Sequence, residues 1–197
     1  MSPFIIAIFL IIPVTFFGCA GIETPALTPQ QNVQHAAALL KDGQPLPAER
    51  LLAITMNQSQ EKNDEAGLAL AYETYAEFLQ SPMVAQWERY YRNNGFVDSS
   101  VTFDNRNEKS RDYWHRAVEL YVKNAAYGQA ADVYLNLATL EVFNFKNRRR
   151  ACENFTLSLE NNKKFTESHP GEAVIPPPGY ATLEDYIAAS RKQLLCK

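Results

Sequence analysis

An alanine followed four residues later by a large side chain, and eight residues later by an apolar one, recurs three times in the chain. The triplets are Ala48, Leu52 and Met56; Ala117, Tyr121 and Ala125; and Ala151, Phe155 and Leu159. A spacing of four puts each triplet on one face of a helix, and the small leading residue lets a second helix approach closely. Each alanine has another helical stretch upstream. Ala36 and Leu39 precede Ala48, with Gly43 at the turn; Leu68, Ala71, Tyr72 and Tyr75 precede Ala117; Leu135, Ala138, Thr139 and Val142 precede Ala151. From residue 30 onward nearly every segment has helical period, and only a weak alternation over 97–103 suggests a strand. The expected fold class is all-α, built from antiparallel helix hairpins.

The distance from Ala117 to Ala151 is 34 residues. With the small–large–apolar register, this resembles the tetratricopeptide repeat, a 34-residue helix–turn–helix unit that stacks on its neighbours. The resemblance spans 30–163 and implies about three units. The second is interrupted between Tyr72 and Ala117, and we read 81–109 as an insertion. The insertion opens with Ser81-Pro82, a capped helix start, and carries Trp87, Tyr90 and Tyr91 interleaved with Arg89 and Arg92 before Asn93-Asn94-Gly95 ends the helix. Tyr, Trp and Arg concentrate at binding hot spots, so Trp87, Tyr90, Tyr91 and Arg92 are candidate partner contacts; the other reading packs these aromatics on the stack.

In the family, ligands commonly lie along the inner face made by the first helix of each unit. By resemblance that face includes Lys41 in the first unit, Glu73 and Glu77 in the second, and Asn136, Phe143 and Asn144 in the third. It is expected to be partly apolar with an acidic middle. The paired Lys and Asn that some members use for a partner's C-terminal carboxylate are not reproduced.

Downstream, 164–181 reads as a loop, since Pro176-Pro177-Pro178-Gly179 cannot continue a helix. Residues 182–197 then begin with a capping-box-like Thr182 and place Leu183, Tyr186, Ile187 and Leu194 on one face, the pattern of a helix that covers the end of a stack.

The N-terminus addresses the chain. No charged side chain precedes Glu23, and 4–17 is almost unbroken hydrocarbon, shorter than the roughly 20 residues a spanning helix needs. It reads as a cleaved signal peptide over 1–18. Phe16-Phe17-Gly18-Cys19 resembles a bacterial lipobox, which implies acylation of Cys19 and a tether over 19–29. The alternatives are ordinary cleavage after Gly18-Cys19-Ala20 and retention as an anchor. Ala20 after the cysteine favours the outer membrane by the same resemblance, with the domain facing the periplasm. An oxidising compartment would leave Cys152 and Cys196 either joined in a disulfide or present as a small buried residue and a terminal thiol.

A net charge of −3 gives no basic footprint for nucleic acid. The run Lys146-Asn147-Arg148-Arg149-Arg150 reads as a solvated turn that could also meet anionic headgroups or glycan. The sequence implies no cofactor: the three Cys and three His lack metal-ligand spacing, and no nucleophile elbow, zincin helix or phosphate loop is present. The expected function is a non-catalytic, membrane-anchored scaffold that binds a protein partner in a bacterial envelope. The alternative is an envelope enzyme acting on peptidoglycan or another glycan through Glu73 and Glu77.

Overall fold

The structure, a computed structural model, describes residues 27–196. The leader, Cys19 and most of the expected tether lie outside the described residues. In chain order the helices are α1 (Pro29–Lys41), α2 (Pro45–Glu61), α3 (Glu65–Gln80), α4 (Pro82–Gln86), α5 (Glu88–Asn94), α6 (Arg106–Lys123), α7 (Tyr127–Phe143), α8 (Arg148–Ser168) and α9 (Leu183–Gln193). Among the described residues there is no strand, and 97–103 is a run of turns in which Val101 donates its N–H to the Asp98 carbonyl at 2.9 Å.

The helices pack as three antiparallel hairpins, α1 on α2, α3 on α6 and α7 on α8, with α9 laid against α8. The all-α stack expected from the alanine register is therefore present, and α3 finds α6 across the whole interruption. The reason is visible at the crossings. Ala48, Ala117 and Ala151 are buried, as are Ala69, Ala76, Ala131 and Ala138 on the helices they meet. Two serine hydroxyls stitch the backbones where they come close: Ser110 donates to the Ala76 carbonyl at 2.9 Å and Ser158 to the Ala131 carbonyl at 2.8 Å.

Local chemistry sets the helix ends, and three boundaries differ from expectation. α1 starts at Pro29, inside the expected tether, because Thr28 and Gln31 form a reciprocal capping box ahead of a proline in the first turn. α6 starts at Arg106, which shortens the insertion to 81–105; the Arg106 guanidinium lies 4.0 Å over the Phe103 ring and donates to the Phe103 carbonyl at 2.7 Å. α8 runs to Ser168, so the Pro-rich connection begins at His169, and Gly171 at φ +93° takes the chain out of helical geometry.

The core has two parts. The larger joins α1 to α7 around Leu52, Tyr75, Phe78, Leu79 and Leu137. The smaller lies between α7, α8 and α9 around Phe155, Leu183 and Ile187. Burying a Leu or Ile side chain contributes about 1.5–3 kcal/mol, so Leu183 and Ile187 are enough to seat α9. Its far end is fixed covalently: Cys152 and Cys196 form a disulfide with a Cα–Cα distance of 5.7 Å.

Candidate functional site

A groove of about 440 Å³ opens between the first turn of α1, the N-terminal half of α3 and the α6–α7 turn. Pro29, Ala66, Leu70 and Ala126 give it apolar walls, and Glu73 and Tyr121 meet in it. No Lys, Arg or His is among its lining residues. Its geometry depends on Gly67, where a Cβ would come within 2.6 Å of Pro29 Cγ and 2.8 Å of Ser59 Oγ. Any larger residue would push α1 off α3 and reshape the mouth.

The Tyr121 hydroxyl donates to Glu73 Oε2 at 2.6 Å. Burial is the main force on the Glu73 carboxyl and raises it to about 7; the Tyr121 hydrogen bond works against that rise, and the charges of Glu77 and Asp132 add to it. Asp132, on α7, is raised to about 6 by burial. Glu77 also shifts upward, first through burial and then through Asp132. Its side chain reaches solvent at one end, while the protein packed around the rest disfavours its charge. The three carboxyls thus repel one another in a poorly solvated place, and such a surface takes up positive charge readily.

Of the residues expected on the inner face, Glu73 lines this groove, and Glu77, one turn further along α3, is near enough for its charge to act on Glu73. Asn136 is half-buried one turn beyond Asp132 on α7, while Lys41, at the end of α1, is exposed. Phe143 is 67% exposed at the end of α7. Asn144 follows it, and its amide donates to Gln80 Oε1 at 3.5 Å. Sequence reasoning missed Asp132 and Tyr121. Asp132 lies four residues before Asn136 and shares its face, a signal the register contained; Tyr121 had been read only as a packing residue.

The insertion corrects one expectation. Tyr91, taken as a partner contact, is 1% exposed, stacked on Phe96 at 4.2 Å and edge-on to Phe78 at 6.4 Å. It belongs to the core because the short helix α5 turns that ring inward, against α3. Trp87 and Tyr90 are half-buried and line a shallow surface groove with Arg89 and Asn93. Arg92 is exposed and held between Glu88 at 2.7 Å and Asp104 at 2.8 Å.

The basic run is exposed at the start of α8, and its arginines have partners. Arg148 donates to the Leu195 carbonyl at 2.5 Å, Arg149 pairs with Glu153 at 2.7 Å, and Arg150 approaches Glu141 at 3.8 Å. Among the described residues no group of three His, Cys, Asp or Glu is placed to hold a metal ion, and no helix is long and apolar enough to cross a membrane.

Fold and groove together define an all-helical hairpin stack with an acidic, apolar-walled groove. Compared with known proteins, the chain matches no family model, no curated protein and no solved structure.

Proposed function

We propose that this chain is a non-catalytic scaffold, anchored by an acylated Cys19 to the periplasmic side of a bacterial outer membrane, and that it binds a protein partner in the groove between α1, α3 and α7. The tetratricopeptide-like register supports the scaffold reading, and the apolar leader ending at Gly18-Cys19 supports the anchor. The observation that carries the binding role is Glu73, bonded to Tyr121 and crowded by the charges of Glu77 and Asp132 close by, in a groove whose lining holds no basic side chain. A fold keeps such mutually repelling carboxyls at a cost in stability, and a partner recovers that cost by supplying the charge and apolar surface the groove lacks.

A photo-crosslinking residue at Gln129, which lines the groove, tests this in cells. The reading requires one discrete protein adduct that disappears when Glu73, Glu77 and Asp132 are replaced by their amides. An absence of any adduct from Gln129 overturns it. The anchor is tested separately by intact mass, which should show a chain beginning at an acylated Cys19; a mature chain beginning at Gly21 without acyl groups defeats it.

One observation favours a second reading. A carboxyl raised to about 7 beside a second acid is the equipment of a general acid, as glycan-cleaving enzymes use it. Turnover of peptidoglycan that Glu73→Gln abolishes would replace the scaffold reading with this one.

A further inference from the structure

At the C-terminal end of α7, a separate cavity of about 460 Å³ is lined only by polar side chains: Arg111, Asp112 and His115 from α6, Glu141 from α7, and Arg150, Glu153 and Asn154 from α8. Its size lies in the range of small-molecule sites. Glu141 is its anomaly. The side chain is 1% exposed, and its Oε2 is buried without any hydrogen-bond partner among the described residues. A buried carboxylate oxygen left unpaired costs about 1–3 kcal/mol or more, so it marks a place where a donor is missing.

The two arginines are equally under-used. Both address the same oxygen, Glu141 Oε1, with Arg111 Nη1 at 3.4 Å and Arg150 Nη1 at 3.8 Å. A well-formed guanidinium–carboxylate contact measures about 2.7–2.9 Å and engages both oxygens. Arg111 is fixed in orientation by the Phe145 ring, 4.2 Å beneath its guanidinium. Arg150 is 47% exposed, and among the described residues its guanidinium has this one long ion pair, so moving it costs little. The rim acid Glu153 is already engaged by Arg149, which leaves Asp112 as the competing carboxylate at the mouth.

The cavity therefore offers two guanidiniums with N–H groups to spare and, beside them, a carboxylate that is only half satisfied by its long contacts to those arginines. A ligand that answers both must carry an anion and a cationic donor a few ångströms apart. We propose that this cavity binds the head group of an α-amino acid, with its carboxylate bridged by Arg111 and Arg150 and its ammonium received by the Glu141 carboxylate. Asn154, nearly buried in the wall, supplies an amide beside the bound group, and His115 reports on its arrival.

The test uses three probes that differ only in the head group: alanine, N-acetylalanine and alaninamide. They are titrated against the oxidised protein, with D-alanine, glutamate and lysine alongside alanine to cover other side chains. The readouts are the His115 imidazole resonances and the melting temperature. At least one free amino acid is expected to shift the His115 signals saturably and raise the melting temperature, while N-acetylalanine and alaninamide bind at least tenfold more weakly. Arg150→Gln, at an exposed position that leaves the core untouched, should weaken binding at least tenfold. Arg111→Lys, which keeps the charge but loses the planar fork, should do the same. No saturable shift with any amino acid overturns the proposal. So does N-acetylalanine binding as well as alanine, which would make the cavity a plain anion site, and so does binding that Arg150→Gln leaves unchanged.

Discussion

Glu49 on α2 accepts the backbone N–H of Val97 at 2.6 Å and the hydroxyl of Tyr75 at 3.1 Å, so one buried carboxyl ties the insertion to the first hairpin. Forty-eight residues separate Glu49 from Val97. The Tyr91 ring lies beside the same carboxyl, and burial raises the Glu49 carboxyl despite these hydrogen-bond donors. The insertion is thus docked through a polar contact inside the core, where an unmade hydrogen bond is expensive.

Glu49→Ala should undock the insertion and cost about 2–4 kcal/mol, since it leaves the Tyr75 hydroxyl unpaired in the interior and takes away the acceptor that holds the Val97 N–H. Thermal unfolding followed by circular dichroism checks the loss, and protection of the Val97 amide from hydrogen exchange should fall with it. Unchanged protection would mean the tie is not made.

Tyr91 and Trp87 should separate cleanly. Tyr91→Ala removes a fully buried ring and should cost about 3–5 kcal/mol, whereas Trp87→Ala, at a half-buried position, should cost less than half of that. Denaturant midpoints of the two variants decide it. Equal losses would place Trp87 in the core as firmly as Tyr91 and remove it from consideration as a partner contact.

The stability contributed by Glu73 should depend on pH in a defined direction. Its carboxyl is raised from 4.5 to about 7 in the folded chain, so the folded state holds the proton more tightly than the unfolded state. That contribution is fully present below about pH 4.5 and is lost as pH rises towards 7. Glu73→Gln should therefore stabilise the protein at pH 8, by about 1–3 kcal/mol after allowance for solvent screening, and flatten the melting temperature between pH 4.5 and 7. A variant with the wild-type slope would show that Glu73 is not the group responsible.

Reduction of the Cys152–Cys196 bond should loosen α9 alone. The bond closes a loop spanning a sequence separation of 44, for which chain entropy gives a stabilisation of about 2–4 kcal/mol. Limited proteolysis in the 169–182 connection should accelerate in reductant, with α1 to α7 remaining resistant. Cleavage spread evenly along the chain would contradict the separation of the two core clusters.

Gly67→Ala should destabilise by about 1–3 kcal/mol, because the new Cβ meets the Pro29 ring, which cannot move without α1. An increase in the melting temperature, the usual result of replacing a helical glycine, would mean that α1 yields without loss.

The all-α class, the small residues at the helix crossings and the capped starts at Ser81 and Thr182 were legible in the chain, because each rests on contacts within a few residues or on the 3.6-residue period. The pairing of α3 with α6 was legible for the same reason: the alanine register continues on either side of the interruption. The acidic cluster around Glu73 was half legible, since Glu73 and Glu77 share one helix face, while Asp132 and Tyr121 arrive on other helices. What tertiary structure alone decided was which side chains lose their water. The ring of Tyr91 and the ring of Trp87 are alike in sequence context, yet the first is sealed between Phe78 and Phe96 and the second reaches the surface. The joining of Cys152 to Cys196, the tie from Glu49 to Val97 and the unpaired oxygen of Glu141 are of the same kind. Helical period is a property of neighbours along the chain, whereas burial and charge depend on residues tens of positions away, brought within ångströms only when the hairpins close.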